Sequence, residues 1–140
     1  MFEDFLKKGS VRKASKDEGL IKSLIKTAKN DLKFFGKLEI NEDSSRRLVG
    51  IFYDVLRSLL ESMASIDEYK IYLHEAFTYY LKEIKGEEEI SVKFDRFRKI
   101  RNSINYYAKE ISIDEAKELI GDLKNMINFI LNKYLGDYND

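Results

Sequence analysis

Apolar residues recur every three or four positions in five successive stretches, the pattern of helices with one buried face. The first stretch carries Leu20, Ile21, Leu24, Ile25, Ala28, Leu32 and Phe35. The second carries Leu48, Ile51, Phe52, Val55, Leu56, Leu59, Leu60 and Met63, and opens after Asn41-Glu42-Asp43-Ser44. A third runs through Tyr69, Tyr72, Leu73, Ala76, Phe77, Tyr80, Leu81 and Ile84, a fourth covers about 91–108, and the fifth continues from Ala116 through Leu123 and Ile130 to Tyr134. Ser15 with Glu18, Ser65 with Glu68 and Ser112 with Glu115 stand just ahead of three stretches, each pair spaced as a capping box. Gly9, Gly36, Gly86 and Gly136 fall where a repeat stops, as expected of left-handed C-terminal caps. Gly9 then closes a short amino-terminal helix around Phe2 and Phe5. Strand-type alternation is nowhere sustained, and links of roughly four to nine residues predict antiparallel neighbours. The expected fold is all-α: a single domain over 1–140, an antiparallel bundle of about five helices with four in the core and a short one at the amino terminus.

Composition narrows the chemistry. The chain has 140 residues, 25 basic and 25 acidic side chains, one His, and no Cys, Pro or Trp. Without Pro, nothing interrupts a long helix. Zero cysteines exclude disulfides, thiol nucleophiles and cysteine-ligated zinc, and a lone His74 excludes a two-His metal site within one chain. No cofactor is expected. No apolar run approaches the ~20 residues that span a bilayer, and MFEDFLKKGS lacks the apolar stretch of a secretory signal. The expectation is a soluble cytoplasmic protein without membrane contact.

The fourth stretch departs from the rest. At 100° per residue, Ile90, Phe94, Phe97, Ile100, Ile104 and Tyr107 occupy an arc of about 140°, and Arg101 lies inside it. Asn105 sits at the arc's edge one turn after Arg101; Arg98 is adjacent in angle, with Asn102 one turn beyond it. Asn102, Ser103 and Asn105 favour turns over helix interiors. An arginine on a buried stripe costs several kcal/mol unless its five donors are satisfied. Such conflicts between local preference and fold mark candidate functional sites. Residues 93–109 also hold six basic side chains (Lys93, Arg96, Arg98, Lys99, Arg101, Lys109) against Asp95, a local net of +5. Phe97, Tyr106 and Tyr107 are interleaved with them, and such a pattern suits phosphate neutralisation and base stacking. Lys93, Arg96 and Lys99 also read as an ordinary solvated face. For Arg101 two readings stand: an ion pair with an acid of a neighbouring helix, Glu61 or Glu83, or an anion-binding site.

The run Arg98-Lys99-Ile100-Arg101-Asn102-Ser103-Ile104-Asn105-Tyr106-Tyr107 resembles the signature helix of the HEPN superfamily (higher eukaryotes and prokaryotes nucleotide-binding), most closely its small archaeal members. The likeness extends over nearly the whole chain, through Ala28-Lys29-Asn30-Asp31-Leu32, Tyr53 to Glu61 and Tyr69 to Ala76. It implies a helical bundle that dimerises, the arginine helices of both subunits meeting in a basic cleft that takes RNA or nucleotide phosphates. Active members are metal-independent endoribonucleases, often toxins of toxin–antitoxin pairs encoded beside a minimal nucleotidyltransferase, which is thereby a candidate partner.

Carried over by residue, the motif arginine is Arg101 and its polar neighbour Asn102. The motif histidine position falls on Tyr106, or on Tyr107 or Ala108 in longer-spaced variants, and none is histidine. A phenol with a pKa near 10 is a poor base at neutral pH, so nuclease activity is expected to be weak or absent. If the chain is active, Arg101, Asn102 and Tyr106 are the candidate catalytic residues. The candidate binding residues are Arg98, Arg101, Asn102, Asn105 and Lys109. Ala108 stands where the toxin subgroup carries a modifiable tyrosine. His74, at the edge of the third apolar face, reads as a boundary histidine or, more remotely, as a catalytic replacement.

Overall fold

A computed structural model describes residues 1–106, Tyr106 by its backbone alone, and residues 110–138. Helices dominate: α1 (Phe2–Lys8), α2 (Glu18–Phe35), α3 (Ser45–Ile66), α4 (Glu75–Tyr79), α5 (Glu88–Tyr106) and α6 (Ile113–Lys133). Two short strands, β1 (Val11–Lys13) and β2 (Tyr69–Ile71), pair antiparallel with Val11 opposite Ile71. A wide π-type turn, Tyr80–Ile84, continues α4, and a 3-10 turn, Gly136–Tyr138, ends the described chain. No helix among the described residues is long and apolar enough to cross a membrane.

The central element is α3, which packs against α2, α5, α6 and β2. It buries residues around most of its circumference, among them Leu48, Phe52, Tyr53, Leu56, Leu59, Leu60 and Met63. Each fully buried Leu or Phe contributes about 1.5–3 kcal/mol by leaving water. The bundle is antiparallel along the chain. At the start of α2, the Asp17 amide donates to Ser65 Oγ at the end of α3 (3.4 Å). Arg46 at the start of α3 donates to the Ile104 carbonyl near the end of α5 (2.9 Å). Glu87, just ahead of α5, pairs with Lys133 at the end of α6.

The third predicted helix is corrected at its start. Tyr69 to Ile71 form β2 rather than a helical turn, because their backbone groups pair with Val11 to Lys13. The expected capping box at Ser65 and Glu68 is absent. Ser65 Oγ accepts from Asp17, the Asp67 carboxylate accepts from the Tyr80 hydroxyl (2.6 Å) and pairs with Lys85 (3.1 Å), and Glu68 turns left-handed at φ 65°. The Asp67 links to Tyr80 and Lys85 bracket the π turn, whose Lys85 amide reaches back to the Tyr80 carbonyl.

Other ends differ in detail. Asp17, not Ser15, caps α2 by accepting from the Leu20 amide (2.9 Å), while Glu18 pairs with Lys16 and accepts from the Tyr138 hydroxyl. Gly9 and Gly86 adopt the left-handed conformation at φ 79° and 68°, whereas Gly36 stays right-handed and Gly136 opens the 3-10 turn. The box at Ser112 is present: its hydroxyl accepts from the Glu115 amide (3.1 Å) and the Glu115 carboxylate accepts from the Ser112 amide (3.4 Å). Ser112→Ala is therefore expected to cost about 1 kcal/mol, read as a lower urea midpoint at unchanged slope. An unaltered midpoint would show that this cap contributes nothing.

Candidate functional site

The site is built where α5 crosses α3. Arg101 is four-fifths buried, with 20% of its side chain exposed. One terminal nitrogen donates to Asp54 Oδ1 of α3 at 3.2 Å, and Asp54 is about half exposed. The guanidinium carbon lies 5.4 Å from the centroid of the Tyr53 ring, a cation–π arrangement. Arg101 Nε is buried and has no hydrogen-bond partner among the described residues. A mostly buried guanidinium with one single-pronged carboxylate contact is under-satisfied, since the group carries five donors in a planar fork.

Arg101 and Asn105 form one wall of an open groove of about 460 Å³; Arg46, Arg47, Gly50 and Asp54 of α3 form the other. Arg46 and Arg47 are exposed, and Arg46 is steered by its bond to the Ile104 carbonyl. Gly50 sits mid-helix, where glycine costs about 1 kcal/mol relative to alanine. A Cβ there would meet no atom within 4 Å, so close packing does not require the glycine. What the missing side chain leaves is room in the groove.

The residues anticipated from sequence separate into three groups. Arg101 and Asn105 line the groove. Arg98 does not: its Nε and a terminal nitrogen both donate to Asp95 Oδ1 (3.1 and 2.7 Å). Asp95 also pairs with Lys99 (2.9 Å) and accepts from the Thr78 hydroxyl of α4 (3.2 Å). Burial alone would push the Asp95 carboxyl up, but hydrogen bonds from Lys99 and Arg98 outweigh it and hold the group below its ordinary range. Asn102 is half-buried and does not line the groove. The side chain of Tyr106, together with Tyr107, Ala108 and Lys109, lies outside the described residues. Lys93 pairs with Glu89 (3.5 Å) and Arg96 with Asp122 (3.8 Å). The acids weighed as partners for Arg101 are occupied elsewhere: Glu61 pairs with Lys70 and Arg57, and Glu83 with the amino terminus.

Half of the groove therefore went unmarked in the sequence reading. Its signal was a stripe at helical spacing, Arg46, Gly50, Asp54 and Arg57, along a helix with a broad apolar face.

Beneath Arg101, Tyr53 is 1% exposed and stacks on Phe94 (5.8 Å, 21°). Its hydroxyl lies 3.4 Å from Nδ1 of the half-buried His74. Burial pushes the Tyr53 phenol up to about 12, against the opposing pull of Arg101, Arg98 and Arg57. The His74 imidazole is held below its ordinary value by burial first, then by Arg57 and Arg101, with Asp54 opposing and Arg98 adding to the shift. The phenol thus stays protonated and the imidazole favours its neutral form at neutral pH. No family model, curated protein or solved structure matches this chain.

Proposed function

We propose that the chain is a HEPN-like helical protein that binds the phosphates of RNA or of nucleotides in the groove around Arg101, working as a dimer. The observation that carries this reading is the condition of Arg101: largely removed from water, yet paired, among the described residues, with a single half-exposed carboxylate. A phosphate oxygen supplies the missing acceptors, and charge-assisted bonds of this kind are the stronger class. Arg46 and Arg47 at the rim add sequence-independent attraction to a phosphodiester chain. Asn105 offers an amide to the same ligand. In a dimer the second copy deepens a groove that is shallow in one chain, and two-fold pairing is the commonest assembly. Binding rather than cleavage is the function proposed, because no imidazole stands at the motif position.

Asp54 competes with the ligand for Arg101 under this reading. Asp54→Asn is expected to tighten binding of a short dye-labelled oligouridylate several-fold by removing that competitor and one negative charge, with affinity falling steeply as salt rises. Fluorescence anisotropy of wild type and variant at equal ionic strength checks it. No binding by either protein, or equal affinity in both, contradicts the proposal. Sedimentation as a monomer at micromolar concentration contradicts its dimeric part.

A further inference from the structure

Lysines are gathered on one side of α2. At 100° per residue, Lys22, Lys26, Lys29 and Lys33 fall within an arc of about 60° and recur along about 17 Å of the helix. Lys22, Lys26 and Lys33 are exposed and Lys29 is half-buried, while Ile21, Ile25 and Ala28 turn inward. Each lysine has another three or four residues away, a spacing at which like charges repel on a helix surface. Asp31 lies on the opposite side of the helix. Among the described residues none of the four forms an ion pair: Glu18, the acid nearest the row, is engaged by Lys16 (3.0 Å) and by the Tyr138 hydroxyl (3.1 Å). Several basic side chains elsewhere are matched to acids, as in Lys70 with Glu61, Lys85 with Asp67 and Lys99 with Asp95. In a chain with 25 basic and 25 acidic residues, the row is therefore a segregation of charge and not a share of an overall excess.

Lys22, Lys26 and Lys29 also line an open groove of about 460 Å³, together with the buried Ile25 and with Asp137 and Tyr138 of the closing 3-10 turn. This groove shares no residue with the one at Arg101. We propose that the lysine face of α2 is a second contact for RNA, its ammonium groups pairing with successive phosphates of a single strand while Tyr138 gives a base a ring to lie against. The inference rests on the reading above that this chain binds phosphates. It narrows the ligand to a polymer, since one nucleotide cannot reach along the row.

Shape and chemistry select among polyanions. A groove admits a strand but not the plane of a bilayer. Ser23, Thr27 and Asn30 beside the row are polar, and Phe34, the exposed large apolar side chain of α2, stands alone near its end, too little for an interfacial helix. An acidic polypeptide would match the charge but makes no use of the tyrosine. Basic grooves set with aromatic rings hold single strands without sequence preference. Asp137 is the acid of the lining, and the lysines there outnumber it three to one.

The test compares wild type with a variant carrying Lys22→Gln, Lys26→Gln, Lys29→Gln and Lys33→Gln, which keeps good helix formers along the row. Anisotropy of a dye-labelled oligouridylate of about 16 nucleotides is followed as salt rises. Each phosphate neutralised on a single strand adds about 0.7 to the slope of log affinity against log salt, so the variant's slope should be shallower by about 3. Its affinity at low salt should be lower by about tenfold or more. In wild type, the oligouridylate should protect these four lysines from acetylation, read by mass spectrometry. That footprint decides the matter even if the variant fails to fold. An unchanged slope or unprotected lysines overturns the proposal. So does equal competition by polyglutamate of matched charge, or binding to phosphatidylserine vesicles in place of RNA. If the lysine face fails and Arg101→Met still loses binding, the groove reading survives. If Arg101→Met binds like wild type while the lysines are protected, the lysine face stands and the groove reading falls.

Discussion

Phe94→Ala is expected to lower stability by about 3–5 kcal/mol, the usual cost of emptying a fully buried aromatic site. Phe94 is 0% exposed and sits between Tyr53, on which it stacks, and Phe77, which it meets edge-on at 6.2 Å. These neighbours belong to α3 and α4, so the ring joins three helices at one point. Against a typical net stability of about 5–15 kcal/mol, the loss is large. It should appear as a lower urea midpoint with an unchanged slope. Val92→Ala, two residues earlier but 66% exposed, should shift stability by no more than about 0.5 kcal/mol. Phe94→Ala should also bind the oligonucleotide more weakly in its folded fraction, since Tyr53, over which Arg101 lies, loses the ring it stacks on. A loss under about 1 kcal/mol for Phe94→Ala would show that this aromatic cluster does not hold the site.

Arg101→Met is expected to separate binding from stability. A structural clamp and an anion ligand make opposite predictions here. If Arg101 serves the fold, removing it should destabilise. If it is kept for a ligand, an apolar chain of similar length should fit at least as well, because a buried, under-satisfied guanidinium is costly and Asp54 is half exposed and returns to water. Stability within about 1 kcal/mol of wild type, or above it, is expected. Affinity for the oligonucleotide should fall by about 10–100-fold, the equivalent of about 1.5–3 kcal/mol for charge-assisted bonds. Arg101→Lys should recover little, since a point charge lacks the fork and stacks poorly on Tyr53.

What the sequence made legible was burial. Periodicity reports which side of a helix leaves water, and α2, α3 and α6 fall where their apolar stripes are. Ser112 was legible for the same local reason: its capping partners are three residues away. Ser65 was not, although its motif is the same, because its hydroxyl accepts from the distant Asp17 amide and the residues that should open the helix, Tyr69 to Ile71, pair with β1 instead. The strand pair was hidden because three residues are too few to show alternation and its partners lie far apart in sequence. In the site, the helical wheel located Arg101 on the stripe that faces the core but could not set the register of α5 against α3. The wheel therefore suggested Glu61 or Glu83, where the structure has Asp54. The facing wall, Arg46, Arg47 and Gly50, was masked by the apolar weight of α3. His74 was visible as a boundary residue; its place beside Tyr53 depends on a corner made by the unforeseen strands.

The most direct test is the ratio of oligouridylate affinities for wild type and Arg101→Met, measured by anisotropy at one low salt concentration on samples whose stabilities have been compared. A wild-type advantage of about tenfold or more, with the variant as stable as its parent, is the predicted result. Equal affinities, or a variant that loses binding only because it unfolds, would contradict it.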